Sequence, residues 1–205
     1  KVKDVIKVIE DFAPLSLQEG WDNSGLCIGS PEDAVSSVLF GLDCTPELVD
    51  EAVACGADMI VTHHPLIFSG LKKISPDNKV GEAVIKAIRS GISIYAAHTS
   101  ADKVIAGVSG AMAAKLGLVN VSILDEDGEG TGLGVVGDLS EPLSADEAVS
   151  LVKERFALKA LRTSKPLDGR ITRVAMCGGS GSSLIGAARK SGAQLYISGD
   201  ISYHH

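Results

Sequence analysis

The 205-residue chain is poor in aromatics, with Phe, Trp and Tyr together at 4% and a single tryptophan, Trp21. Its apolar content of 45% therefore comes mainly from Val, Ile, Leu and Ala, the composition of buried strands packed under helices. No apolar run approaches the roughly 18 residues needed to span a bilayer, so a membrane partner is not expected. The four cysteines, Cys27, Cys44, Cys55 and Cys177, contain no Cys-x-x-Cys pair and sit among apolar neighbours. This suits free thiols in a reducing compartment and makes a cytoplasmic location the expectation. Positive charge is in deficit: 19 Lys and Arg stand against 26 Asp and Glu, for a net charge of −7. A partner read through a nucleic-acid backbone is thereby disfavoured, although bound cations would let an acidic chain take a small anionic substrate.

What is present is an alternation of strand and helix signals, which predicts an α/β fold of two related halves with largely parallel sheets. A helix is expected over Val2–Phe12, closed by Pro14. Strands are expected at Leu26–Ile28 and Val38–Leu42, and Thr45-Pro46-Glu47 then supplies an N-cap, a first-turn proline and an acid. That helix should stop at Gly56 and lead into strand Met59–Thr62. Helices at Val80–Ser90, Val108–Leu116 and Ser144–Phe156 and strands at Ile92–Ala97, Leu133–Leu139 and Thr172–Cys177 continue the pattern. The acidic, glycine-rich run Asp125-Glu126-Asp127-Gly128-Glu129-Gly130 reads as an exposed junction, dividing the chain into halves 1–124 and 125–205.

The chain also matches itself. At one constant offset, Val38–His64 aligns without a gap onto Val174–Asp200, both copies reading strand, helix, glycine stop, strand. His63-His64 in the first copy stands where Gly199-Asp200 stands in the second, at the C-terminal end of a strand, where α/β sheets bind ligands.

Three clusters carry chemistry. Thr62-His63-His64-Pro65 places two imidazoles where a strand unravels, so that both reach one polar site; the alternative is one core and one exposed histidine. Tyr95 to Asp102 repeats the strand-to-helix setting, with His98 as a donor or an orienter and Asp102 as a bridging carboxylate or a helix-entry cap. Gly178-Gly179-Ser180-Gly181-Ser182-Ser183 offers backbone amides for a phosphate or carboxylate, or simply a tight glycine turn. Without a following Lys-Ser or Lys-Thr it is not a P-loop.

These segments resemble the Nif-three-like family, whose members are labelled GTP cyclohydrolase 1 type 2 homologues. The resemblance rests on Trp21-Asp22-Asn23-Ser24-Gly25-Leu26, on Gly56 through Phe68 around the double histidine, and on Tyr95 through Asp102. Gly179-Ser180-Gly181 and Ser198 through His204 complete it in family order. It implies a dinuclear site of divalent ions (Zn, Mn, Fe, Co or Ni) held by His63, His64 and Asp102, with His98 beside them. Gly179, Ser180 and Gly181 would hold a substrate anion, in a toroidal homohexamer. The implied activity is metal-dependent hydrolysis of a nucleotide or phosphoester, the alternative being a non-catalytic metal-binding or protein-interaction role.

Ser100-Ala101 departs from the Asn-Leu usual in the family. Further ligands expected past the Gly-Asp segment have no counterpart before His205. The start at Lys1 and the stop at Tyr203-His204-His205 read as the ends of a trimmed chain, with His204 a family position rather than a tag.

Overall fold

A computed structural model describes residues 1–164 and 168–202. The chain divides into two compact units, Lys1–Ala101 and Asp102–His205. The acidic run expected as the junction lies inside the second unit. There it forms the end of one strand and the turn of a hairpin, which its glycines permit and its charges keep in solvent.

The first unit opens with helix α1 (Val2–Phe12), followed by strands β1 (Gly25–Ile28) and β2 (Val38–Gly41). Helix α2 (Pro46–Cys55), strand β3 (Met59–Thr62), helix α3 (Lys79–Ser90) and strand β4 (Ser93–Ala96) come next, and the short helix α4 (Thr99–Asp102) ends at the unit boundary. The start of α2 is set locally: Thr45 Oγ1 accepts the Leu48 amide at 3.2 Å, with Pro46 at the first helical position. Gly56 ends the helix at φ 71°, a left-handed conformation that glycine adopts without steric cost. The sheet order is β1-β4-β3-β2, with β2, β3 and β4 parallel and β1 antiparallel to β4.

All four residues of β3 are buried, as expected of a strand covered on both faces. Ile60 packs with Val49, Ala52, Ala83, Val84 and Ala87 from α2 and α3. Met59 and Val61 point the other way and meet Val2, Val5, Ile6 and Ile9 of α1. Tyr95 lies in the same layer, 1% exposed, and its hydroxyl donates to Glu10 Oε1 of α1 at 3.1 Å, so the polar end of the buried ring has a partner.

The second unit contains helix α5 (Val108–Leu116), the long hairpin β5 (Val119–Gly128) and β6 (Thr131–Leu143), and helix α6 (Ala145–Arg155). Strand β7 (Ile171–Ser180), helix α7 (Ile185–Lys190) and strand β8 (Leu195–Asp200) complete it. Its sheet runs β5-β6-β7-β8, and only β7 and β8 are parallel; β5-β6 and β6-β7 are antiparallel. The parallel arrangement read from the sequence thus holds for the βαβ portions, and the hairpin adds antiparallel strands. Strand β5 is a departure from the sequence reading: Val119-Asn120-Val121-Ser122-Ile123 alternates as a strand does, but most of its side chains are exposed and its acidic end, 125–128, reads as loop.

The internal match appears as the same strand register. Val38, Leu39, Phe40 and Gly41 pair with Met59, Ile60, Val61 and Thr62. Their counterparts in the second copy, Val174, Ala175, Met176 and Cys177, pair with Leu195, Tyr196, Ile197 and Ser198. Both copies are parallel βαβ units, and Gly56 and Gly192 both have positive φ, 71° and 80°.

Candidate metal centre

Three neighbouring parallel strands of the first unit end at one edge of the sheet, and each is followed by a polar residue: Asp43 after β2, His63 and His64 after β3, His98 after β4. Because β1 runs antiparallel to β4, the turn before it, carrying Asp22, arrives at the same edge. The topology therefore collects residues far apart in sequence.

The backbone beyond β3 keeps pairing with the end of β2, His63 N–H donating to Gly41 O at 3.3 Å and His64 N–H to Leu42 O at 3.0 Å. The buried Thr62 hydroxyl donates to His64 O at 2.8 Å and bends the chain, so both rings stay on the edge. One nitrogen from each of His63, His64 and His98 lies within 4.8 Å of the others. The ring centroids are 4.8 Å (His63–His64), 5.1 Å (His63–His98) and 5.4 Å (His64–His98) apart.

Each ring is oriented through the same atom. His63 Nδ1 lies 3.2 Å from Ala97 O, His64 Nδ1 lies 2.7 Å from Asp43 Oδ1, and His98 Nδ1 lies 2.9 Å from Asp22 Oδ1. Carbonyl and carboxylate oxygens only accept, so Nδ1 carries the proton and Nε2 is the nitrogen with a lone pair for coordination. Metal-binding histidines are characteristically held this way, by a carboxylate or carbonyl on the far nitrogen. The donor set fits a borderline divalent ion, because the donors are nitrogens and none of the four free cysteines belongs to the group.

Asp22 is the best-anchored of the orienting groups. Its side chain is 0% exposed. It takes hydrogen bonds from Thr99 Oγ1 (2.5 Å), Ser24 Oγ (2.8 Å), Thr99 N (3.1 Å) and Asn23 N (2.7 Å), besides His98. Burial alone would raise its pKa; the hydrogen bonds from Thr99, His98 and Ser24 outweigh it and hold the carboxyl well below the usual carboxylate range. Ser100, 1% exposed in the turn after His98, has a hydroxyl with no hydrogen-bond partner among the described residues.

The family model Duf34/NIF3 (NGG1p interacting factor 3) matches residues 1–205. The chain belongs to this family. A GTP cyclohydrolase 1 type 2 homologue of Clostridium acetobutylicum is 39% identical over 208 residues, covering 100% of this chain and 78% of the relative. A NIF3 homologue of Schizosaccharomyces pombe is 32% identical over 211 residues, covering 97% and 75%. Among solved structures, a hypothetical protein of Staphylococcus aureus superposes with TM-score 0.94 at 29% identity, covering 100% of this chain and 80% of the other. A Bacillus cereus protein related to NIF3 gives TM-score 0.92 at 27% identity, covering 99% and 83%.

Of the DUF34/NIF3 positions singled out in the sequence, His63, His64 and His98 form the donor group, and Asp102 is outside it. Asp102 ends α4 as the first residue of the second unit. Burial first, and the nearby Asp102 charge second, raise the pKa of the Cys177 thiol. Gly179-Ser180-Gly181 also belongs to the second unit, and its nearest partners are the chain's own: Gly181 N–H donates to Ser198 Oγ at 2.9 Å and Gly178 N–H to Ser109 Oγ at 3.2 Å. A Cβ on Gly181 would come within 2.2 Å of the Tyr196 hydroxyl oxygen, so close packing accounts for that glycine. His204 lies outside the described residues. Among the described residues no helix is long and apolar enough to cross a membrane.

Two partners were missed in the sequence. Asp22 appeared there only as part of a family motif, and Asp43 not at all. The available signal was position: Asp43 lies two residues past the end of β2, on the edge that the double histidine marks.

Proposed function

We propose that this DUF34/NIF3 chain is a metal-dependent hydrolase acting on a nucleotide or phosphoester, with His63, His64 and His98 holding divalent metal. The observation that carries the reading is the common orientation of the three rings, each fixed through Nδ1. Donors spread up to 4.8 Å apart exceed the roughly 4.2 Å that two nitrogens on opposite sides of one ion span, which suits a pair of ions or a small closing of the rings. We assign Asp102 to the same centre as the bridging carboxylate; it lies four residues after His98, one turn of helix away. When bound, divalent ions supply Lewis-acid polarisation of a substrate oxygen and lower the pKa of a coordinated water. The chain's own contribution is order. Ala97 O, Asp43 and Asp22 fix the tautomer and plane of each imidazole, so binding requires little rearrangement. Asp22 stays ionised and accepts the His98 Nδ1 proton in a hydrogen bond, which leaves Nε2 free to coordinate. The nucleotide half of the reading draws on the cyclohydrolase name of the curated relatives.

The test is elemental analysis and a hydrolysis screen on full-length protein, wild type beside His63→Ala and Asp102→Ala. The expected result is bound divalent metal and hydrolysis of a nucleotide or phosphoester, both lost in the variants. Metal lost with no hydrolytic activity changed would leave the second reading, a metal-binding interaction protein, which the family's description as an interacting factor favours.

A further inference from the structure

Two aromatic side chains stand in solvent beside the histidine group. Trp21 is 60% exposed and Phe68 52%, in a chain with very few aromatics to spend. Their rings are 6.0 Å apart between centroids and tilted at 42°, so neither covers the other's face as stacked rings would. Both turn toward the same histidine: Trp21 lies 6.0 Å and Phe68 6.4 Å from the His98 ring, each in edge geometry at 75°.

Neither is on a loose tip. Trp21 precedes Asp22, whose carboxylate is the buried hub described above. Asn23 Nδ2 donates to Ile67 O at 2.5 Å, tying the Trp21 turn to the residue before Phe68. Ser24 N–H donates to Gln18 Oε1 at 3.0 Å, and Asp22 N–H to Glu19 O at 2.9 Å. The turn that orients His98 and the turn that presents Trp21 are thus one rigid piece. Phe12 is as exposed as Phe68, and Phe40 more than either ring; what sets Trp21 and Phe68 apart is that they adjoin each other and a cluster of oriented donors, the setting of a contact site.

We propose that Trp21 and Phe68 form a stacking platform for a planar heteroaromatic ring, making the substrate class a nucleobase-bearing compound rather than a simple sugar phosphate or alkyl phosphoester. This rests on the reading of the histidine group as the reaction centre and narrows what is presented to it. Stacking recognises the π-face that every base has, so the platform selects for a flat ring more than for one base. Neither residue contacts the reacting atoms; both act as specificity determinants.

Trp21 is the only tryptophan in these 205 residues, so the platform carries its own probe. Full-length protein is titrated with guanosine and adenosine monophosphates and with ribose 5-phosphate, following tryptophan emission and, separately, heat of binding. Saturable quenching by both nucleotides and none by the sugar phosphate is expected. Trp21→Ala and Phe68→Ala should each weaken nucleotide binding about tenfold, the scale of one lost base-stacking contact, with metal content unchanged. Trp21→Phe, which keeps a ring, should retain most of the affinity. Equal affinity for ribose 5-phosphate and the nucleotides overturns the proposal, as does unchanged nucleotide binding in metal-replete Trp21→Ala. Emission that responds to protein concentration and not to nucleotide overturns it too, since the rings would then be a protein interface. A chain that binds nucleotide through these rings yet hydrolyses nothing would sink the hydrolase reading while leaving the platform intact.

Discussion

In the first βαβ unit Asp58 Oδ2 accepts the amides of Ser36 (2.7 Å) and Ser37 (3.1 Å), and Asp58 N–H donates back to Ser37 O at 3.0 Å. In the second, Gln194 Oε1 accepts the amides of Thr172 (3.1 Å) and Arg173 (2.8 Å), and Gln194 N–H donates to Arg173 O at 3.0 Å. The anchor is the same at matched positions of the two copies, built once with an acid and once with an amide. From this common base the units diverge towards their other ends. The first finishes in His63 and His64, oriented by Asp43 and Ala97. The second finishes in Ser198 and Asp200, whose Oγ and backbone carbonyl are occupied by the neighbouring glycine segment. One scaffold thus serves two purposes: where the strand ends carry imidazoles they form a donor site, and where they carry Gly and Ser they close on themselves.

The most forceful way to break this contrast is to exchange ends. His63→Ala should abolish divalent metal binding, whereas Asp200→Ala at the end of the second unit should leave the metal content unchanged; loss in both variants would place donor function in both units. A step smaller, Asp43→Asn keeps every ligand and removes only the charge that orients His64. It should weaken metal affinity by about 10–100-fold, measured by competition with a chelator. An unchanged affinity would mean that His64 needs no orienting partner.

Core packing separates the units more modestly. Ile60 in β3 is 0% exposed, and Ile60→Ala should cost about 2–5 kcal/mol by urea denaturation. Ile197 in β8 is only partly buried, and Ile197→Ala should cost less than that. Equal costs would show that the second sheet is better covered than its exposure suggests. The smallest effect concerns pH. The Ser36 and Ser37 hydrogen bonds lower the Asp58 pKa, so its stabilising contribution is complete above the ordinary carboxylate value and disappears as pH falls through the lowered one. Amide exchange at Ser36 and Ser37 should quicken relative to Thr172 and Arg173 below about pH 4, and Asp58→Asn should remove that difference. A pH response shared equally by both anchors would contradict it.

Much of the architecture was legible because its signals are local. Thr45-Pro46-Glu47 and Gly56 bracket α2 at Pro46–Cys55, and α1 and β3 occupy the expected residues. The repeat was readable because Gly56 and Gly192 do the same conformational work at matched positions. The double histidine and His98 were readable because strand ends in α/β sheets are where donors gather. What escaped depends on pairing across distance. The acidic end of strand β5, 125–128, is held in place by pairing with β6 and has no strand pattern of its own, and Gly178-Gly179-Ser180 continues β7 although its composition reads as loop. Asp43 and Asp22 gain their roles only when β2 and β1 arrive beside β3 and β4, which no spacing along the chain reveals.

The cysteines show what the choice of imidazole donors does for durability. Burial pushes the Cys27 thiol up to about 11, and burial with the Cys27 charge pushes Cys44 up to about 12, so both stay protonated and unreactive near neutrality. A centre assembled from nitrogen donors has no thiolate for peroxide to consume. Thiol oxidation, which disables cysteine-ligated sites, therefore has no target among these three donors.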